Sequence, residues 1–177
     1  MTIQIDSREK QHAIQDILKE FEKQGIKHYT SKLFVGDYMS LDNPRLVIDR
    51  KQNLQELCGN VTHQHERFKA EMLRAQENDI KIIFLCEHGR NIKSLDDVLW
   101  WENPRGTIRQ RINGKWITTH RNVMQGETLY KILNTMKKRY GVEFLFCEKK
   151  DTGRRIIELL SEADHDKRRD QSIEKHD

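Results

Sequence analysis

The sequence predicts a mixed α/β domain, one β-sheet flanked by helices, and three observations carry that prediction. Short apolar runs bounded by polar turns, Leu46-Val47-Ile48, Ile80 to Cys86 and Val142 to Cys147, have the length of buried strands. Ile80 to Cys86 is almost continuously apolar, which suits a strand covered on both faces. Between the runs, apolar residues fall at helical spacing: Ile14, Ile17, Leu18 and Phe21; Phe68, Met72 and Ala75; Leu129, Ile132, Leu133 and Met136.

From the N-terminus, Ile3 to Asp6 reads as a first strand and Gln11 to Lys23 as an amphipathic helix closed by Gly25. Ile26 to Lys32 is a second strand. It leads into a hairpin around Leu33 to Ser40, a polar turn at Asp42 to Arg45, and the strand holding Leu46 to Ile48. Asn53 to Cys58 forms a short helix that Gly59-Asn60 should break. His63 to Asn78 is a long helix, and Ile92 to Trp101 is helix-like with Ser94 as N-cap. Asn103 to Asn122 differs from its surroundings: it holds Pro104, two glycines and the basic residues Arg105, Arg109, Arg111, Lys115 and Arg121. Within it, Gly106 to Ile117 predicts a β-hairpin turning at Asn113-Gly114. Gly126 to Arg139 is a helix capped by Gly141, Val142 to Cys147 a strand, and Asp151 to Ala163 the last helix. Residues 164–177 are nearly all charged, with only Ile173 apolar, and are expected as a frayed or disordered tail.

Composition bounds the function. A chain of 177 residues, 36% hydrophobic and 34% charged, fits one domain with a modest core. No apolar run approaches the roughly 20 residues that span a bilayer, and no signal peptide is visible, so a cytoplasmic, DNA-associated location is expected. Cys58, Cys86 and Cys147 are far apart and form no C-x-x-C pair, which disfavours structural zinc and fits a reducing compartment. His63 and His65, spaced i, i+2, do not converge on one helix face. The net charge of +4 permits nucleic-acid binding without demanding it.

The chemistry concentrates between Gly36 and Lys51. Asp49 and Lys51 are two apart, so on a strand they point the same way, and Asp37 lies one hairpin earlier. Carboxylates held together repel unless a cation sits between them, and oxygen ligands of this kind suit Mg²⁺ or Mn²⁺. A neighbouring lysine can orient water or stabilise charge on a phosphate. Asp6 and Glu9, at a strand-to-helix junction, offer two more carboxylates. Glu9 equally suits a first-turn acid of the following helix.

Asp6-Ser7-Arg8-Glu9, Gly36-Asp37-Tyr38 and Val47-Ile48-Asp49-Arg50-Lys51, in this order, resemble the nuclease domain of the XPF family, within the restriction-endonuclease-like PD-(D/E)xK nucleases. The resemblance runs from Thr2 to Ser161. It implies a restriction-endonuclease-like mixed β-sheet flanked by helices over residues 1–163, with residues 102–122 as a basic hairpin insert and 164–177 as a tail. There are two departures from the family pattern G-D, E-R-K, then three residues and D. Asp49 replaces the usual Glu, and Gln55 stands where the final Asp is expected, with Glu56 next to it.

The activity implied is a Mg²⁺- or Mn²⁺-dependent DNA endonuclease acting on flaps, forks or junctions in recombination, replication or repair. Asp37, Asp49 and Lys51 are the expected catalytic residues, and Asp6, Glu9, Asp37 and Asp49 the expected metal ligands. Arg8 and Arg50 are expected at phosphates or in site packing. His65 and Arg67 on the long helix, and Arg109, Arg111 and Lys115 on the hairpin, complete the expected DNA contacts, with Trp116 able to stack. The resemblance also implies a homodimer through the last helices. The alternatives are a Holliday-junction resolvase or other nuclease of the superfamily, or a DNA-binding module that has lost its chemistry.

Overall fold

Apolar strands covered by helices on both faces decide the architecture. The computed structural model describes residues 1–89 and 91–173. Its strands are β1 (Thr2–Asp6), β2 (Lys27–Ser31), β3 (Tyr38–Ser40), β4 (Asn43–Lys51), β5 (Lys81–Cys86), β6 (Thr107–Ile112), β7 (Lys115–His120) and β8 (Glu143–Phe146). Its α-helices are α1 (Gln15–Lys23), α2 (Leu54–Val61), α3 (His65–Glu77), α4 (Gly126–Tyr140) and α5 (Thr152–Ile173). Six strands form one mixed sheet in the order β2-β1-β3-β4-β5-β8. β3 runs antiparallel to β1 and β4, whereas β4, β5 and β8 are parallel.

Successive side chains of β5 enter opposite layers, as strand geometry requires. Ile82, Phe84 and Cys86 join a core with α2, α3 and α4, while Ile83 and Leu85 join a second core with α1 and α5. The same alternation on β4 sends Val47 to the first layer and Leu46 and Ile48 to the second. This parity fixes where Asp49, Arg50 and Lys51 point.

Four local expectations are corrected. The first helix begins with a 3-10 turn, Gln11–Ala13, and becomes α-helical only from Gln15. α2 continues through Gly59-Asn60 to Val61. A helical glycine costs only about 1 kcal/mol, and burial of Leu54, Leu57 and Val61 offsets it. β4 starts at Asn43, so the turn is shorter than expected, with a register shift at Met39/Ser40 absorbing the difference. The segment 92–101 holds a 3-10 helix, Asp96–Trp100, and Ser94 does not cap it. Instead Asp97 Oδ2 accepts from the backbone N–H groups of Lys93 and Ser94 and from Ser94 Oγ.

The hairpin β6–β7 forms with the expected turn: Asn113 and Gly114 have φ of 49° and 79°, the left-handed pair a tight two-residue turn needs. The last helix runs on to Ile173, past its expected end at Ala163; the tail from 174 lies outside the described residues. Among the described residues no helix is long and apolar enough to cross a membrane.

Candidate active site

The C-terminal end of β4 builds the site by parity. Asp49 and Lys51 follow Val47 into the α2–α3 layer, and Lys51 Nζ sits 5.5 Å from the Phe68 ring centre and 5.6 Å from that of Phe84. Arg50 goes to the opposite face and meets Glu9, with Nη2 2.9 Å from Oε2. It also meets Glu87, with Nη1 3.3 Å from Oε1. Glu87 Oε1 in turn accepts from the Thr152 hydroxyl at the start of α5.

Asp37 arrives from the loop before β3. Its N–H donates to Ile48 O, and its Oδ2 accepts from the Arg50 N–H at 2.8 Å. Gly36 makes that approach possible. It has φ of +69°, and a Cβ there would press within 3.1 Å of Val47 and 3.2 Å of Ile48 O.

Asp37, Asp49 and Lys51 line one open cavity of about 320 Å³, together with Arg8, Glu9, Lys10, Arg50, Glu56, Asn60, Gln64, Arg67 and Glu71. Lys51 Nζ is 2.5 Å from Asp49 Oδ1, yet Asp49 Oδ1 has no aligned hydrogen bond, so the contact is an ion pair. Burial pushes the Asp49 carboxyl up to about 6, with Lys51 pulling it down and Glu71 pushing it up. Burial, then the charge of Asp49, drives Asp37 well above the usual carboxylate range. Burial works against the charge of Lys51, but Asp49 and Asp37 outweigh it and hold the ammonium at about 12. The site therefore contains a buried carboxylate, Asp49, and a partly exposed one, Asp37, in mutual repulsion, with one Asp49 oxygen lacking a hydrogen bond, beside a charged ammonium. A hard divalent cation fits that donor set and would relieve the repulsion. Among the described residues no three His, Cys, Asp or Glu side chains are already gathered as a metal-holding group.

The other expected residues divide. Glu9 reaches the cavity wall, but its carboxylate is held by Arg50. Asp6 is not brought to the cavity. It is fully buried, with Oδ1 accepting from Arg8 N and Nε, and Oδ2 from Arg8 Nη2 and Leu33 N. Burial pushes its carboxyl up, but the Arg8 and Leu33 donors outweigh that and hold it below the usual range. Asp6 is thus committed to fastening the loop after β2, which leaves no oxygen for a metal. Arg8 and Arg67 stand at the cavity rim. Arg50 lines the cavity wall but is 6% exposed and paired with Glu9 and Glu87, so it packs the site. His65 does not line this cavity; it faces a cleft between α3 and α4 and lies 3.4 Å from Glu66. Arg109, Arg111 and Lys115 lie on the exposed hairpin, with Arg109 stacked over Trp116 at 5.5 Å. Glu56 lines the cavity, while its Oε2 accepts from the Gln52 N–H.

Sequence reasoning missed Glu71 and the Glu87–Thr152 pair. Glu71 had a signal: Gln64, Arg67 and Glu71 are polar at helical spacing along the edge of the apolar stripe. Its Oε1 also accepts from the Gly36 N–H, 3.2 Å away, beside Asp37. Glu87 and Thr152 had none, because 65 positions separate them and only the sheet brings them together.

No match to a curated protein was found. Solved structures share the architecture, two of XPF among them. XPF from Aeropyrum pernix is 18% identical, with a TM-score of 0.60, over 99% of this chain and 69% of that one. XPF from Aeropyrum pernix in complex with DNA is 19% identical, with a TM-score of 0.59, over 92% of this chain and 64% of that one. At such identities the likeness establishes the fold. A family model, the ERCC4 domain, matches residues 5–159, which include every residue lining the cavity. The chain belongs to the ERCC4-domain family and has the fold of the XPF nuclease domain.

Proposed function

We propose that this chain is a divalent-metal-dependent DNA endonuclease that hydrolyses phosphodiester bonds, with branched DNA as its substrate. Membership of the ERCC4-domain family supports a DNA nuclease. The observation that carries the reading is the meeting of Asp37, Asp49 and Lys51 in one cavity, two carboxylates beside an ammonium. Asp37 and Asp49 are the residues that would hold Mg²⁺ or Mn²⁺. When bound, such an ion lowers the pKa of a water and offsets negative charge on the phosphate. Lys51, kept protonated by the two acids, faces the phosphate as a fixed positive charge and orients the attacking water. Arg8, Lys10 and Arg67 at the rim supply sequence-independent phosphate contacts. Arg50, clamped between Glu9 and Glu87, holds the end of β4 in place.

The reading extends to the basic hairpin, residues 102–122, as an insert and a DNA-contacting arm. It also extends to a role in recombination or replication-fork processing, and to pairing of two copies through the C-terminal helices. The test compares forked, flapped, four-way and fully paired duplexes, each with Mg²⁺, Mn²⁺ or chelator. Cleavage should require metal and favour a branch, and Asp37→Asn should abolish it while DNA binding survives. Cleavage by Asp37→Asn at the wild-type rate removes that residue from the mechanism.

A further inference from the structure

Phe34 lies in the loop between β2 and β3 and is 59% exposed, whereas its neighbours Leu33 and Val35 are 5% and 1% exposed. In this bent segment Leu33 and Val35 turn into the core and the Phe34 ring faces outward. The backbone around it is fastened on both sides, at Gly36 to the cavity residue Glu71. Leu33 N donates to Asp6 Oδ2 at 2.8 Å, Gly36 N to Glu71 Oε1 at 3.2 Å, and Asp37 N to Ile48 O at 2.9 Å. The Arg74 guanidinium lies over the ring at 6.0 Å. Arg74 is one helical turn beyond Glu71, and Glu71 and Arg67 both line the catalytic cavity.

An aromatic ring is thus presented from a pinned loop, three positions before Asp37, with the Arg74 guanidinium over it. Arginines at a rim fit the phosphates of a nucleic acid, and a phenyl ring among them fits the face of a base. In a paired duplex every base face is already stacked, so only an unpaired base can offer one. Neither ring lines the cavity, but the Phe34 loop is tied to its wall through the Gly36–Glu71 hydrogen bond, whereas Trp116, 62% exposed, sits on the exposed hairpin.

We propose that Phe34 is a stacking platform for an unpaired base beside the scissile phosphate, and that it directs the site to DNA in which single strand meets duplex. The proposal deepens the nuclease reading and rests on it. Metal-free binding of a forked duplex with 2-aminopurine at the first unpaired position tests stacking without cleavage. The wild-type chain should quench the 2-aminopurine. Phe34→Ala should not, and should bind the fork about tenfold more weakly, within the range for loss of one base–aromatic stack. Phe34→Trp should restore both. With Mn²⁺, the ratio of forked to fully paired cleavage should fall in Phe34→Ala. Equal quenching by wild type and Phe34→Ala overturns the proposal whatever the cleavage result. A change in sedimentation of free Phe34→Ala also overturns it, because the ring then packs against a second copy. Quenching by wild type without metal-supported cleavage of any substrate upholds the platform and sinks the nuclease reading instead.

Discussion

The end of β4 and the β6–β7 hairpin are both dense in charge, and they use it in opposite ways. On β4, Asp49, Arg50 and Lys51 are 4%, 6% and 8% exposed. On the hairpin, Arg109, Arg111 and Lys115 are exposed along with nearly every other residue. The same pair of charges interacts several times more strongly beneath a surface than in water. Charges on β4 therefore shift one another's protonation and fix geometry, while hairpin charges stay solvated and act on whatever approaches. A charge-rich stretch becomes a reaction site only where the fold withdraws water from it.

Mutations that restore or remove that distinction should show it, beginning with Asp37→Asn. Loss of one carboxylate should lower the metal-supported cleavage rate by about a thousandfold or more, roughly 4 kcal/mol of barrier. Because it also removes a buried repulsion, the metal-free variant should melt at a higher temperature than the wild type. A lower melting temperature would show that Asp37 is not the repelled partner of Asp49.

Arg50→Ala should destabilise the fold by about 3 kcal/mol, since it leaves Glu9 and Glu87 buried without their cation. Denaturant unfolding measures it, and a loss under about 1 kcal/mol would mean water already enters the clamp.

An effect of similar size follows from Asp49, held near 6 when folded against 3.8 for a free carboxyl. Between those values the folded chain keeps a proton that the unfolded chain releases, so metal-free stability should fall as pH rises, by roughly 3 kcal/mol. Melting curves of wild type minus Asp49→Asn isolate this from carboxyls such as Asp6 that shift the other way. Stabilisation by Mg²⁺ should grow as pH rises through about 6, when the carboxylate is freed; a pH-independent metal shift would refute this.

The smallest stability effect belongs to the hairpin. Arg109→Ala should change unfolding by less than about 0.5 kcal/mol, yet weaken DNA binding across sequences and reduce its salt dependence by about one ion. Strong destabilisation would show that the Arg109–Trp116 stack holds the hairpin together.

Much of the fold was legible because one residue's polarity reports one direction of burial. The unbroken apolar run of β5, the stripes of α3 and α4, and the Asn113-Gly114 turn each needed only local sequence. Local reasoning failed at α2, where tertiary burial overrode a glycine, and at Ser94, where Asp97 captured the free N–H groups.

Within the candidate site, the two-residue spacing of Asp49 and Lys51 was enough to place them on one face, since strand parity allows nothing else. The sequence alone also supplied Asp37 as their companion through the order of the motifs. Only the tertiary structure decided that Asp6 fastens a loop, that Arg50 is an internal clamp, and that Glu71 joins the cavity. Those roles arise from contacts across 27 to 41 positions, closed by strand order and helix packing. A carboxylate's role follows from which donors reach it first, and in this chain those donors come from other elements of the sheet and its helices.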